Sequence, residues 1–156
     1  MEKVSLDDVQ VQTNPVADQS IRKPVSQALG TTDFAFNYFE LQPEESFSGG
    51  MHRHHDQEEV FYVLEGEATF ETPDDEHVIG TDEAIRFEPG EYQTGRNSGD
   101  GPLRGLAMGA PGARHDWDQI DALLFCSECD EETDHAMSLT DDGRFEFECR
   151  DCGNEL

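Results

Sequence analysis

The sequence predicts an all-β fold, a barrel or sandwich of short strands with a small C-terminal appendage. Three observations predict it. Short apolar and aromatic runs recur between Gly/Pro turns without helical periodicity. A His-x-His pair, His52 and His54, precedes a strand-like run that opens at Glu59 and closes at Gly66. Two Cys-x-x-Cys pairs, Cys126/Cys129 and Cys149/Cys152, stand 19 residues apart near the C-terminus.

The strands follow from the chain in order. Residues 1–32 are polar, with Pro15 and Pro24, and read as an N-terminal arm with an edge strand through Val9 and Val11. Asp33–Leu41 is aromatic-rich and stops at Pro43, which predicts a strand with Phe34, Phe36 and Tyr38 on one face. Ser48, Gly49 and Gly50 permit a turn or bulge before the histidines. Val60–Leu64 and Glu67–Glu71 flank a turn at Glu65-Gly66. Thr72-Pro73-Asp74-Asp75 is a turn cluster, after which Val78–Gly80, Ala84–Phe87 and Leu103–Met108 supply further strands. Val60, Tyr62 and Leu64 face away from Phe61 and Val63, so both faces of that strand are apolar and the outer one needs a cover. A homodimer is one expected way to provide it.

Composition narrows the class. The chain has 156 residues, with 36 acids against 10 bases and a formal charge of -26. Eight of the bases are arginine and two, Lys3 and Lys23, are lysine. An acidic, lysine-poor shell matches proteins of salt-accumulating halophiles, because molar salt cuts the screening length to about 3 Å. No Lys/Arg cluster exists, which argues against nucleic acid or an anionic membrane as partner. No apolar run approaches a membrane span, and the first residues, MEKVSLDDVQ, lack an apolar signal region. The expected compartment is the cytoplasm, and paired cysteines at metal-ligand spacing suit its reducing conditions.

His52 and His54 project from the same face of a strand because side chains alternate with period two. Glu59 can be brought opposite them by an antiparallel neighbour. Two imidazoles and one carboxylate form a ligand set for a divalent transition metal, with iron, manganese, nickel and zinc all admissible. His55 has the wrong parity for that face. His77, His115 and His135 fall in turn or linker context and read as surface histidines.

Roughly residues 34–110 resemble the cupin superfamily. Its first motif runs from a glycine through His-x-His to Glu and, after six residues, Gly. Here His52, His54, Glu59 and Gly66 meet it, with Gly49 and Gly50 closer upstream than is usual. The six-residue gap to Gly66 favours Glu59 over its neighbour Glu58. The second motif is partly kept in Pro89, Gly90 and Asn97, but Gln93 stands where a histidine is usual. The resemblance implies a double-stranded β-helix, or jelly-roll barrel, holding a metal and a small-molecule ligand, with dioxygenase-like or isomerase-like chemistry. Gln93 leaves three readings: an oxygen ligand, a hydrogen-bonding neighbour of the site, or a sign of lost metal binding. A non-catalytic ligand-sensing module is the rival reading. Tyr38, Tyr62, Tyr92 and Arg96 are candidate substrate contacts, Arg96 foremost. No phosphate-binding loop or nucleophile elbow is present.

After residue 110 the sequence predicts a linker, 111–122, with Trp117 as an anchor on the barrel. Residues 123–156 then carry the C-x2-C…C-x2-C pattern of a structural zinc site. Thr133–Leu139 and Arg144–Glu148, joined through Asp141-Asp142-Gly143, read as the hairpin of a zinc ribbon. The segment is too small for a core of its own, so metal binding would supply much of its folding energy. Rubredoxin-like iron is the alternative ion. With 11 acids and two bases, the ribbon suits protein contact or stabilisation.

Overall fold

The computed structural model describes residues 1–14, 17–114, 116–140 and 144–156. The arm contributes β1 (Gln12–Asn14), β2 (Ala17–Pro24) and one short helix, α1 (Val25–Leu29). The barrel follows with β3 (Ala35–Leu41), β4 (His52–His54), β5 (Glu58–Glu65), β6 (Glu67–Glu71) and β7 (Glu76–Gly80). It is completed by β8 (Ala84–Phe87), β9 (Thr94–Asn97) and β10 (Leu103–Ala110). A single 3-10 turn at Trp117–Gln119 leads to β11 (Ile120–Cys126), β12 (Glu131–Leu139) and β13 (Phe145–Cys149). Among the described residues, no helix is long and apolar enough to cross a membrane.

Three sheets result. The largest has the order β1-β2-β3-β10-β5-β8, and β7-β6-β9 forms the facing three-stranded sheet. The third is β13-β12-β11-β4, so the strand carrying His52 and His54 is continuous with the C-terminal hairpin. Among the described residues, every ladder between these strands is antiparallel.

Alternation decides what lies inside. In β5, Glu59, Phe61 and Val63 turn inward, while Glu58 and Tyr62 reach outward to Arg86 and Asp82. Phe61 joins Phe39, Phe47, Phe70 and Phe87 in one aromatic core, with ring centroids 4.7 Å apart for Phe61–Phe70 and 5.7 Å for Phe47–Phe70. The first pair is tilted and the second stacked, both favourable arrangements for aromatic rings, and such pairs contribute much of the packing energy of a small barrel. Gly95 in β9 lets the Phe70 ring lie against bare backbone, since a Cβ there would fall 2.3 Å from the ring. Gly66 turns β5 into β6 with φ 89°, a value that glycine alone adopts without strain.

Three expectations change. The edge strand of the arm is Gln12–Asn14, not Val9–Val11; Val9 is buried and Val11 exposed. Residues 120–122, expected in a linker, pair with β4 in the register Ile120↔His54, Asp121↔Arg53 and Ala122↔His52. That pairing satisfies one backbone edge of the histidine strand, a stronger demand than connection alone. Asn97 is wholly buried and tethers the chain, donating to the carbonyls of Leu41 and Gly101 at 2.9 Å each. His135 is also wholly buried in β12, with Nδ1 2.9 Å from the Thr133 carbonyl, so it is no surface histidine. His115 and the turn at Asp141-Asp142-Gly143 lie outside the described residues.

Candidate functional site

The site begins with β4. His52 and His54 share its inner face, their ring centroids 5.2 Å apart and 74° from coplanar. Arg53 between them points the opposite way, onto Asp121, Asp134 and the Tyr92 ring. The backbone of His52 is held on both sides: it exchanges bonds with Gln93 at 3.1 and 2.9 Å and lies opposite Ala122. β5 then delivers Glu59, with its carboxylate 3.4 Å from His54 Nε2 and 4.0 Å from His52 Nε2. Glu58 is excluded from this group by parity, as it pairs with Arg86 on the outer face. One donor atom from each of His52, His54 and Glu59 lies within 4.8 Å of the others.

Electrostatics suit a cation. Burial lowers the His52 pKa, keeping the ring neutral near pH 7, and its Nδ1 sits 2.9 Å from the Gly50 carbonyl. That contact assigns the proton to Nδ1 and leaves the Nε2 lone pair for a ligand role. Burial pushes Glu59 up to about 7, partly offset by a hydrogen bond from Gln93. A buried acid facing two imidazole rings is a place where a divalent ion would be stabilised. Gln93 donates from Nε2 to Glu59 at 2.8 Å, while its Oε1 is buried without a partner. Rotating the amide would present that oxygen to the same point, so the donor set fits a divalent metal with Gln93 beside it.

The triad opens onto a cavity of about 360 Å³. Phe39, Phe47 and Phe61 wall it from the barrel. Met137, Phe145 and Phe147 of the C-terminal hairpin complete the apolar wall, and Trp117 lines it too, 5.1 Å from Phe145 between ring centroids. The hairpin is thus part of the cavity. None of Tyr38, Tyr62, Tyr92 and Arg96 lines it: Tyr38 bonds Glu40 and Arg104, Tyr62 bonds Asp82, Tyr92 bonds Asp134, and Arg96 is tied to Glu71. Their proposed substrate contacts are therefore withdrawn. Two polar residues that the sequence reading missed, Arg22 and Asn37, line it instead. Arg22 lies in a polar arm whose register on β3 no local pattern reveals.

The four cysteines form a second cluster. Cys126 Sγ and Cys152 Sγ are 3.5 Å apart, Cys129 Sγ and Cys149 Sγ 3.9 Å apart, and all four lie within 4.8 Å of one another. These are not disulfides. Four sulfurs bound tetrahedrally to zinc at about 2.3 Å would stand about 3.8 Å apart, so the spacing fits one ion with no open position. The Thr133 hydroxyl and backbone N–H groups hold Cys149 down to about 6, favouring its thiolate.

Comparison with known proteins agrees with this geometry. Residues 37–109 match the family model described as the cupin domain. No curated protein matches the chain. Among solved structures, a cupin-superfamily sugar phosphate isomerase from Silicibacter pomeroyi is 20% identical, with a TM-score of 0.70 over 97% of this chain and 95% of its own. The polyketide cyclase RemF from Streptomyces resistomycificus is 25% identical, with a TM-score of 0.66 over 81% of this chain and 88% of its own. A predicted oxalate decarboxylase from Thermotoga maritima is 20% identical, with a TM-score of 0.60 over 70% of this chain and 99% of its own. The fold is thus a cupin double-stranded β-helix with a C-terminal cysteine cluster, and residues 37–109 are the part that is similar to the cupin domain.

Proposed function

We propose that the protein binds a divalent transition metal through His52, His54 and Glu59 and uses it to bind and transform a small molecule in the barrel. The observation that carries this reading is the placement of three converging donor atoms, one of them a buried carboxylate, beside an apolar cavity of ligand size. A metal held there supplies a Lewis acid that polarises a carbonyl or makes bound water more acidic. The chain's own residues do the rest. The aromatic walls exclude water and orient the ligand, and Glu59, once deprotonated, serves the ion as its carboxylate ligand. Isomerase-like chemistry is one reaction such an ion can assist, and the solved cupins named as an isomerase and a cyclase are consistent with it. Fold likeness alone fixes no reaction.

The C-terminal cluster is proposed to hold structural zinc through Cys126, Cys129, Cys149 and Cys152. Its role is to brace the hairpin that walls the cavity. A second reading, a ligand-binding cupin without catalysis, is favoured by one observation: Gln93 occupies the fourth position and hydrogen-bonds Glu59.

Elemental analysis of protein purified without added metal tests the assignment. Two ions per chain are expected, and His52→Ala should remove one while leaving zinc on the cysteines. An unchanged metal content in His52→Ala would refute the barrel site.

A further inference from the structure

The cavity holds one arginine among its lining residues, and among the described residues that arginine pairs with no acid. Five other arginines, Arg53, Arg86, Arg96, Arg104 and Arg150, pair with carboxylates. With 36 acids in the chain, such pairing is easy. Arg22 is different. It stands opposite Phe39 in the β2–β3 register and shares the inward face of the sheet. Its Nε donates to Asn37 Oδ1 at 3.3 Å, and among the described residues no carboxylate pairs with it. Burial pulls its pKa below the ordinary arginine value, the mark of a guanidinium removed from water without a counter-charge. Asn37 is itself buried, and with its oxygen taken by Arg22 it offers the cavity an amide N–H.

A desolvated guanidinium with open donors matches the planar, two-oxygen geometry of a carboxylate. The rest of the wall limits the ligand. Phe39, Phe47, Phe61 and the hairpin aromatics are apolar, and the cavity's other ionisable groups are His52, His54 and Glu59. A phosphate dianion would meet one guanidinium and, among the described residues, no lysine or second arginine in that wall, whereas a single carboxylate is matched by one arginine.

We infer that Arg22, positioned by Asn37, binds the carboxylate of a small, otherwise apolar organic acid in this cavity. The inference rests on the proposal that the barrel binds a small molecule, and it narrows the ligand class to monocarboxylates over phosphorylated ones. About 360 Å³ accommodates an acid of the size of a substituted ring.

The sole tryptophan, Trp117, lines the cavity and reports occupancy by fluorescence. The metal-loaded protein is titrated with cyclohexanecarboxylate, with its neutral amide and with inorganic phosphate. The acid should bind at least about tenfold more tightly than the amide, as expected for one charge-assisted contact, and phosphate should not displace it. Arg22→Gln should erase the preference for the acid while retaining affinity for the amide, and Arg22→Lys should keep part of it. If the acid and amide bind the native protein equally, or phosphate competes with the acid, the inference fails and the cavity reading stands. If neither organic probe binds, both fail together. A preference that survives in Arg22→Gln would place carboxylate recognition at the triad and overturn the role of Arg22. Should Arg22→Gln not fold, the native acid-to-amide ratio and Arg22→Lys decide the matter, and a ratio near one in either overturns it.

Discussion

Gln93 and Glu59 are joined side chain to side chain, Nε2 to Oε2 at 2.8 Å, inside the group that also contains His52 and His54. A neutral amide therefore stands beside the triad at the position where the resembled second motif usually has an imidazole. Replacing it should strengthen the site. Gln93→His is expected to tighten divalent-metal affinity by about tenfold or more, because imidazole is the better ligand for transition ions. Competition against a chromogenic chelator measures it, and unchanged affinity would mean that position 93 does not face the ion.

The raised acid gives a pH signature. Folded, metal-free Glu59 holds its proton to about 7, against an ordinary value of 4.5. Between those values the folded state binds more protons than the unfolded state, so stability falls as pH rises through that window. Urea midpoints of the metal-stripped protein should decline from pH 4.5 to 7 more steeply than those of Glu59→Gln. Metal uptake must expel the same proton, so affinity should weaken by about tenfold per pH unit below 7. Identical pH slopes for the native and variant proteins would contradict the buried carboxyl.

Loss of the sulfur cluster should reach the cavity. Cys126 closes β11, and β11 is paired with the histidine strand. Cys126→Ser is expected to lose its zinc, expose Met137, Phe145 and Phe147, and bind the apolar dye ANS. Ligand affinity in the barrel should fall with it, while His52→Ala should leave dye binding low. Calorimetric titration of a cavity ligand into both variants provides the check.

Asp121 fastens the same junction from the other face. Its side chain is 3% exposed and receives hydrogen bonds from Arg53, His55 and Arg150. Burial alone would raise its pKa, but bonds from Arg150, His55 and Arg53 prevail and hold it below the ordinary value. The stabilisation is therefore present above about pH 4 and lost as pH falls through the depressed value. Asp121→Asn should cost about 3 kcal/mol near neutral pH, at the lower end for a broken buried ion cluster because Arg150 and Arg53 reach water. The difference from the native protein should shrink in acid, as denaturant unfolding would show.

Much of this arrangement was legible in the sequence because its signals are local. His52 and His54 declare their shared face by spacing, and the two cysteine pairs declare a cluster by theirs. Glu59 could also have been separated from Glu58 without the family motif, since Glu59 shares parity with the inward Phe61 and Val63. What was missed depends on pairing across long separations. The β11–β4 ladder joins residues 68 positions apart at Arg53–Asp121, and the run IDALLFC carries no sign of which edge it will complete. Arg22 faces inward only because β2 lies on β3 in one particular register. His135 looked superficial among Asp134 and its acidic neighbours, but strands on both sides enclose it.

The ladder between the imidazole strand and the tail divides the chamber between two evolvable parts. Its floor answers to ion chemistry and tolerates little change, whereas its ceiling is borne on a hairpin fastened at one edge. Exchanging that hairpin for one with different side chains would retune which molecules fit without replacing His52, His54 or Glu59. Such a chain could change its selectivity through its last two strands while keeping its first eleven.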